Sequence, residues 1–225
     1  MQVSIVIPTL DECTNILLLL GDLAPLRQAG HEVIIADGGS TDGTRALAGS
    51  RADRVLLAPR GRASQMNAGA RTASGDVLWF LHADSRVLPR AQSQLLDACR
   101  EGAVWGRLDV RLAGDRPMLR VVERMMNWRS RLTGIATGDQ GIFVTRAVFE
   151  AVGGFPPIPL MEDIALSKAL LRHARPVCLS GPILTSSRRW EENGILRTIL
   201  LMWRLRLAYA LGADPRRLAD LYGRR

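Results

Sequence analysis

Four short apolar runs constrain the fold of this chain more than any other feature of its sequence. They lie at residues 3–7, 32–36, 54–58 and 77–81. Runs of this length and composition are typical of strands that are buried on both faces of a parallel sheet. Segments with a helical spacing of leucine or alanine separate them. We therefore predict an α/β fold with a doubly wound, mostly parallel sheet.

The pattern changes in the second half of the chain. At residues 108–112, apolar and charged side chains alternate, which predicts an antiparallel strand with one exposed face. Pro117 is placed to open a helix at its first turn. Further candidates are strands at residues 141–145, 176–179 and 183–185, a helix that begins near Glu162, and a long apolar helix at residues 195–211. We expect these elements to continue the same sheet.

The charge of the chain limits its partners. The net charge is +8 at pH 7, and Lys168 is the single lysine beside many arginines. A basic chain suits nucleic acid, anionic lipid or a phosphorylated small molecule. Runs of basic residues with interleaved aromatic side chains, which single-strand binders use, do not occur in the sequence. We therefore expect no nucleic-acid partner.

Three further features bear on location. No run of 18 uncharged apolar residues occurs, so we expect no spanning helix. Met1 leads directly into a strand-like segment, which argues against a signal peptide. Cys13, Cys99 and Cys178 are scattered and odd in number, which favours reduced thiols over a zinc site or disulfides. Together these features predict a cytoplasmic protein.

Acidic residues follow three of the four apolar runs. Asp11 and Glu12 come after the first run, Asp37 after the second and Asp84 after the fourth. In an open parallel sheet, ligands bind beyond the carboxyl ends of the strands. The first run leads into PTLDE, without the glycines of a dinucleotide fold, so a bare pyrophosphate does not fit the loop at residues 37–43.

These carboxylates suit a different ligand. Asp37 can accept a hydrogen bond from a base imide or a ribose hydroxyl, and Gly38 and Gly39 let the backbone approach closely. Asp84 can hold a divalent cation, which in turn holds a diphosphate.

The same segments carry a resemblance to a known family. PTLDE (8–12), DGGSTDGT (37–44), GRASQMNAGARTASGDVLWFLHAD (61–84) and the pair Glu162-Asp163 resemble a family 2 glycosyltransferase of the GT-A fold. The resemblance covers residues 1 to about 190 in the order of that family. GDQGIF (138–143) and SSRRW (186–190) are most similar to the compact bacterial subgroup of arsenosugar-biosynthesis type.

The resemblance implies a fold and its division. The fold is a Rossmann-like, mostly parallel central sheet flanked by helices, with an antiparallel extension and a C-terminal helical segment. The glycosyltransferase domain spans residues 1–190, with a nucleotide-binding half at 1–100 and an acceptor half at 101–190. A basic helical segment follows at 191–225.

The resemblance also implies a donor site and a metal. Asp37 would accept from the uracil N3–H of a UDP-sugar. Asp84 matches the last aspartate of the D-x-D motif that holds Mg²⁺ or Mn²⁺, and His82 replaces the first. Two interpretations of His82 stay open, a metal ligand and a supporting histidine. The matched nucleotide-sugar residues are Pro8, Thr9, Asp11, Glu12, Asp37, Gly38, Gly39, Arg62, Asn67 and Gly69.

The implied reaction is an inverting sugar transfer to an acceptor hydroxyl, with Asp163 as general base beside Glu162. Acids at a helix start are also favoured by the helix dipole alone. Asp139 and Gln140 face the sugar or acceptor, or GDQG is a plain turn. Arg189 and Trp190 resemble the tail of the Q-x-x-R-W motif, whose glutamine is replaced by serine, so processivity is not implied.

Alternatives remain for function and partners. A nucleotidyltransferase would need a basic, glycine-rich loop where PTLDE stands, and a non-catalytic binding module would not need Asp84 or Asp163. The acceptor is a small molecule or a lipid-linked one. The helix at residues 195–211, in a tail with nine arginines against four acids from residue 186 onward, contacts an anionic membrane surface, forms a homodimer or packs on the sheet.

Overall fold

A computed structural model describes residues 1–223 of the chain, apart from the side chain of Arg189. Eight strands form one sheet in the order β3-β2-β1-β4-β7-β6-β8-β5. The strands are β1 (Val3–Thr9), β2 (Glu32–Asp37), β3 (Arg54–Leu57), β4 (Val77–Phe80), β5 (Arg86–Val87), β6 (Trp105–Leu112), β7 (Phe143–Thr145) and β8 (Val177–Thr185). The predicted α/β class with a mostly parallel sheet is confirmed.

Helices flank this sheet. They are α1 (Ile16–Gln28), α2 (Thr44–Ala48), α3 (Arg62–Thr72), α4 (Pro89–Arg100), α5 (Pro117–Thr133), α6 (Arg146–Ala151), α7 (Glu162–Leu170), α8 (Arg188–Glu192), α9 (Ile195–Ala210) and α10 (Pro215–Gly223), with a 3-10 turn at Gly138–Gln140. Within residues 1–223, none of them combines the length and apolar character that crossing a bilayer requires.

Alternation along β1 explains why its run is apolar throughout. Ile5 and Ile7 pack in a cluster with α1, whereas Val6 packs on the opposite face with α3. Successive strand residues point to opposite faces, so both faces of β1 are covered. β1 pairs in parallel with β2 on one side and β4 on the other, which brings the carboxyl ends of all three strands to one edge.

The expectation of an antiparallel strand with one exposed face at residues 108–112 was wrong in part. β6 runs antiparallel to β7 only at its start and runs parallel to β8 along most of its length. Arg107 is fully buried, because α5 covers this face: the Arg107 guanidinium donates to the Asn127 carbonyl oxygen (3.0 Å) and to Asp109. Arg107 and Asp109 therefore pair with each other beneath a helix, whereas Arg111 is exposed.

The end of the described chain also differs in detail from the sequence prediction. The strand candidates at 176–179 and 183–185 form one continuous strand, β8. The predicted helix at 195–211 is present as α9. It packs with α10 against α7 through Ile164, Leu205 and Leu218. The C-terminal helices therefore lie beside the end of the sheet where the acidic residues gather.

Candidate functional site

A cavity of about 470 Å³ opens at the carboxyl ends of β1 and β4. We call it the main cavity. The parallel register of these strands brings the segments after them together, as the sequence predicted for ligand-binding residues. Of the residues predicted to form the site, eight line it: Pro8, Thr9, Glu12, Arg62, His82, Asp84, Asp139 and Trp190.

A smaller cavity of about 110 Å³ adjoins the main one. This side cavity shares Arg62, His82 and Asp139 with the main cavity and adds Glu162 and Asp163 from the start of α7. The predicted metal carboxylate and the predicted base therefore open into two connected spaces.

Asp37 lies outside this lining. It has no exposed surface, and its carboxylate accepts four hydrogen bonds, from Thr9 Oγ1, Gly39 N–H, and both N–H and Oγ of Ser40. The expected contact of Asp37 with a base stays a prediction; in this structure both carboxylate oxygens accept hydrogen bonds from within the chain. Burial alone would raise the pKa of Asp37, but the hydrogen bonds from Ser40 and Thr9 bring it below its ordinary value.

Replacing Asp37 by alanine is expected to lower the free energy of unfolding by about 3 kcal/mol, because buried donors lose their acceptor. The lowered pKa makes this contribution present at neutral pH and lost as the pH falls through the folded-state value. Urea denaturation at neutral and acidic pH measures it. Asp97→Ala, at an exposed position of α4, is the control; equal losses in both variants would contradict the role of Asp37.

The other acids of this region brace two loops. Asp11 Oδ1 accepts from the N–H of Thr41 (2.8 Å), and Asp42 Oδ2 accepts from the N–H of Cys13 (2.9 Å). The loop after β1 and the loop after β2 are thus joined by carboxylates. This explains why a glycine-rich loop carries negative charge: the acids hold backbone N–H groups rather than phosphate.

Four other residues that were predicted to bind the nucleotide-sugar lie outside the main cavity and support the fold. Asn67 exchanges two hydrogen bonds with the backbone of Phe155. A Cβ on Gly69 would lie 2.4 Å from Val6 Cγ1, so this glycine lets α3 approach β1. Gly38 sits against Gln65, and Gly39 adopts a positive φ of 94° that suits glycine. None of these four residues lines the main cavity.

The segment GDQG (138–141) is a turn in which one side chain is buried and another lines the cavities. Gln140 is fully buried and closes a capping box with Thr137, whereas Asp139 lines both cavities. The predicted contact by Arg189 lies outside the described residues. Trp190 lines the main cavity and also packs beside the cluster formed by β6 and α5.

Sequence reasoning missed some residues of the site. Gln65 donates from Nε2 to the carbonyl oxygens of Thr9 (2.7 Å) and Ala36 (2.9 Å), which ties the ends of β1 and β2 together. Its signal was a polar residue within the buried stripe of α3. Arg188 and Tyr222 reach the main cavity from the C-terminal helices. Their placement depends on tertiary packing, for which the sequence offered no local signal.

Two arginines lie near Asp163, the predicted general base. Arg206 of α9 lines the side cavity beside Asp163, and Arg129 of α5 lies nearby. Burial, together with the neighbouring Arg206, lowers the pKa of Arg129 to about 10, so this guanidinium is charged at neutral pH. The lining of the side cavity therefore combines two arginines, Arg62 and Arg206, with three acidic side chains, Asp139, Glu162 and Asp163.

The metal-binding potential of the site rests on Asp84. Within residues 1–223, no group of three or more histidine, cysteine or acidic side chains is arranged to hold an ion. His82 Nδ1 lies 3.3 Å from Asp139 Oδ1, and its Nε2 is buried against Gly138 without a hydrogen-bond partner among the described residues. This geometry suits a supporting histidine better than a ligand. A single carboxylate fits Mg²⁺ or Mn²⁺ when phosphate and water complete the oxygen ligands.

Glu162 and Asp163 differ in environment. Glu162 is 3% exposed and lies 3.6 Å from Arg62, whereas Asp163 is half-buried. Asp163 is anchored by the N–H groups of Gly138 (3.0 Å) and Ile164 (2.7 Å). Burial and then the charge of Asp163 raise the pKa of Glu162 above its ordinary value. The accessible member of the pair is therefore Asp163.

Replacing Glu162 by glutamine is expected to flatten the pH dependence of stability. Because the pKa of Glu162 is raised in the folded state, its stabilising effect is complete below the unfolded pKa and is lost as the pH rises through the folded one. Wild type should thus lose more stability than the variant between acidic and neutral pH. Urea denaturation across this range checks it, with exposed Glu150→Gln as control; parallel curves would contradict the raised pKa.

The family model for glycosyl transferase family 2 matches residues 4–150, well over half of the chain. The chain belongs to glycosyl transferase family 2. The match includes nearly all of β1, the strands from β2 to β7, the braced loops and the segment that carries Asp84. No protein with a curated description matches the sequence.

Solved structures share the fold of this family 2 glycosyl transferase. S. aureus TarS (residues 1–349) superposes with a TM-score of 0.69 at 18% identity, over 83% of this chain and 61% of that one. Glucosyl-3-phosphoglycerate synthase from Mycobacterium tuberculosis, in complex with Mn²⁺, UDP and phosphoglyceric acid, gives 0.66 at 18%, over 95% and 79%. Mannosyltransferase PcManGT from Pyrobaculum calidifontis, with GDP-Man and Mn²⁺, gives 0.64 at 22%, over 92% and 61%. The chain thus spans about three fifths of TarS 1–349.

Proposed function

We propose that the protein transfers a sugar from a nucleotide-diphosphate sugar to an acceptor hydroxyl, with inversion and with help from a divalent metal. The observation that carries the proposal is that Asp84 and Asp163 line two adjoining cavities, both of which are also lined by Arg62. UDP is the favoured nucleotide, since TarS was crystallised with UDP-GlcNAc and the mycobacterial synthase with UDP. GDP is the alternative, since PcManGT was crystallised with GDP-Man.

The donor is proposed to occupy the main cavity. Pro8, Thr9 and Glu12 form the wall at the end of β1, and Arg62 enters from the start of α3. Asp37, Asp11 and the glycines act on the donor through the shape of the braced loops that they hold. Trp190 also lines this cavity and offers it an aromatic surface. Arg189 is included among the proposed donor-binding residues on the basis of its sequence motif alone.

The ion, Mg²⁺ or Mn²⁺, is proposed to be held by Asp84. When bound, it would neutralise negative charge on the diphosphate as this group leaves. His82 positions Asp139 through their contact. Asp139 lines both cavities, which supports its proposed contact with the sugar.

Asp163 is proposed to act as the general base. It takes the proton of the acceptor hydroxyl while that oxygen forms its bond to the anomeric carbon. The bond between the anomeric carbon and the diphosphate oxygen breaks on the opposite side, and the nucleoside diphosphate leaves. The two backbone N–H groups that anchor Asp163 fix its orientation. Glu162 holds Arg62 at the boundary of the two cavities.

The acceptor is proposed to be a small molecule or a lipid-linked molecule that enters the side cavity. Met202, Leu205 and Arg206 of α9 form part of the wall. The predicted membrane contact of residues 195–211 is part of this proposal, because it would bring a lipid-linked acceptor to that wall. The homodimer, the division into domains and the arsenosugar-type subgroup stay predictions.

Product analysis tests the proposed reaction. The protein is incubated with Mn²⁺ and each of a panel of UDP- and GDP-sugars, with and without crude acceptor extracts. We expect release of the nucleoside diphosphate from one donor. Release of pyrophosphate from a nucleoside triphosphate and a sugar phosphate would show a nucleotidyltransferase instead. Donor binding without any product would show a binding module.

A further inference from the structure

Two helices expose long apolar side chains in regular stripes. The first stripe lies on α5 and the second on α9 and the residue after it, and both repeat every three or four residues. Such spacing places side chains on one face of a helix. The ten residues, which are 42–79% exposed, are Met118, Val121, Met125, Trp128, Leu132, Leu196, Leu200, Trp203, Leu207 and Leu211.

The two stripes face the same way. α5 and α9 share one cluster, in which Val122 and Met126 meet Ile195 and Ile199. On α5, Met118, Val121 and Met125 come directly before residues of this cluster, whereas on α9 Leu196 and Leu200 come directly after Ile195 and Ile199. The cluster takes residues from the first half of both helices, and Arg129 and Arg206 interact electrostatically in the second half, which indicates that the helices run in the same direction. When two neighbouring helices run parallel and their cluster residues face each other, residues one position before the cluster on one helix and one position after it on the other lie on the same outer side. We call this side the apolar face.

Exposed apolar area of this extent needs an explanation. Single exposed leucines are ordinary, but contiguous apolar patches of this size on a soluble chain mark contact surfaces. The charges around the face indicate the kind of contact. α5 and α9 together carry seven arginines and one acidic residue, Glu123. Arg197 and Arg204 are exposed on the flank of the α9 stripe.

We propose that the apolar face docks on the surface of a bilayer that contains anionic lipids. Trp128 and Trp203, which are 60% and 61% exposed, suit the boundary between head groups and acyl chains. Arginines beside the face suit anionic head groups. A symmetric pair of copies would instead bring two arginine-rich surfaces together, and like charges would oppose the contact.

Docking in this orientation places the membrane beside the proposed acceptor site. The opposite side of α9 lines the side cavity through Met202 and Leu205. The docking proposal does not depend on the transfer reaction, because it is measured without any donor or acceptor.

Cosedimentation with vesicles tests the proposal. Wild type is mixed with phosphatidylcholine vesicles and with vesicles that contain about one third phosphatidylglycerol. We expect binding to the anionic vesicles, weakened about tenfold by Leu200→Gln with Trp203→Gln. Arg197→Gln with Arg204→Gln should remove the preference for anionic vesicles. Leu18→Gln, at a position of α1 that is 52% exposed, should bind like wild type.

Three results would overturn the proposal. The first is no binding of wild type to either vesicle. The second is an equal loss in Leu18→Gln and in the α9 variant, which would show unspecific adsorption. The third is a stable dimer by light scattering that the α9 substitutions convert to monomer, which would assign the face to a second copy. UDP binding by every variant, measured alongside, shows whether the main cavity is intact and separates failure of docking from failure of the proposed function.

Discussion

Asp163→Asn is expected to lower the turnover number of sugar transfer by about 10²–10⁴-fold, the usual contribution of one positioned base. UDP affinity should change little, because Asp163 lines the side cavity rather than the main one. Asparagine keeps the size of the side chain but cannot take the proton of the acceptor hydroxyl. Single-turnover kinetics with saturating donor measure the loss.

The controls for this variant address folding and specificity. Asp163 accepts from the N–H groups of Gly138 and Ile164, so thermal unfolding must show that the start of α7 is intact. Glu150→Gln, at an exposed position of α6, should keep wild-type turnover. A folded Asp163→Asn protein with turnover within a few-fold of wild type would contradict the assignment of the base.

Asp84→Asn is expected to remove most of the dependence of UDP affinity on Mn²⁺ and to lower turnover by about 10²–10³-fold. Asp84 is the carboxylate at the end of β4 in the main cavity, and the neighbouring His82 is directed at Asp139 and Gly138. Loss of this carboxylate therefore leaves the diphosphate charge without its counter-ion. Calorimetric titration of UDP, with Mn²⁺ and with chelator, measures the change.

Asp97→Asn, an exposed position on α4, is the matched control for Asp84→Asn and should keep the full effect of Mn²⁺. If Asp84→Asn retained it as well, the ion would have to be held by other groups. In that case the assignment of Asp84 would be wrong, although the proposed reaction could stand.

Local patterns in the sequence predicted much of the fold. β1, β2 and β4 were visible because strands covered on both faces need continuous apolar runs. α4 was missed although Pro89 at its first turn and the helical spacing of the buried Ala91, Leu95, Ala98 and Cys99 indicate a helix in the sequence. β5 has two residues and exists only through its pairing with β8, far along the chain.

The candidate site could likewise be predicted only in part from the sequence. Asp84, Arg62 and Asp139, which were candidates from their motifs, line one cavity, and their roles there stay predictions. The enclosure of Asp37 could not be predicted, because it depends on the register that sets Thr9 beside it on the neighbouring strand. The burial of Arg107 likewise depends on α5 crossing above it. Residue type and spacing indicate that an acid is near a site, but partners from other elements decide what it does.

Calorimetric titration of wild type with UDP, in the presence of Mn²⁺ and again with chelator, tests directly whether the main cavity binds UDP with the help of a metal. We expect UDP binding that weakens markedly when the metal is removed, with GDP as a poorer ligand. No UDP binding under either condition would contradict the nucleotide pocket at the ends of β1 and β4. Tight binding of GDP alone would contradict the choice of nucleotide.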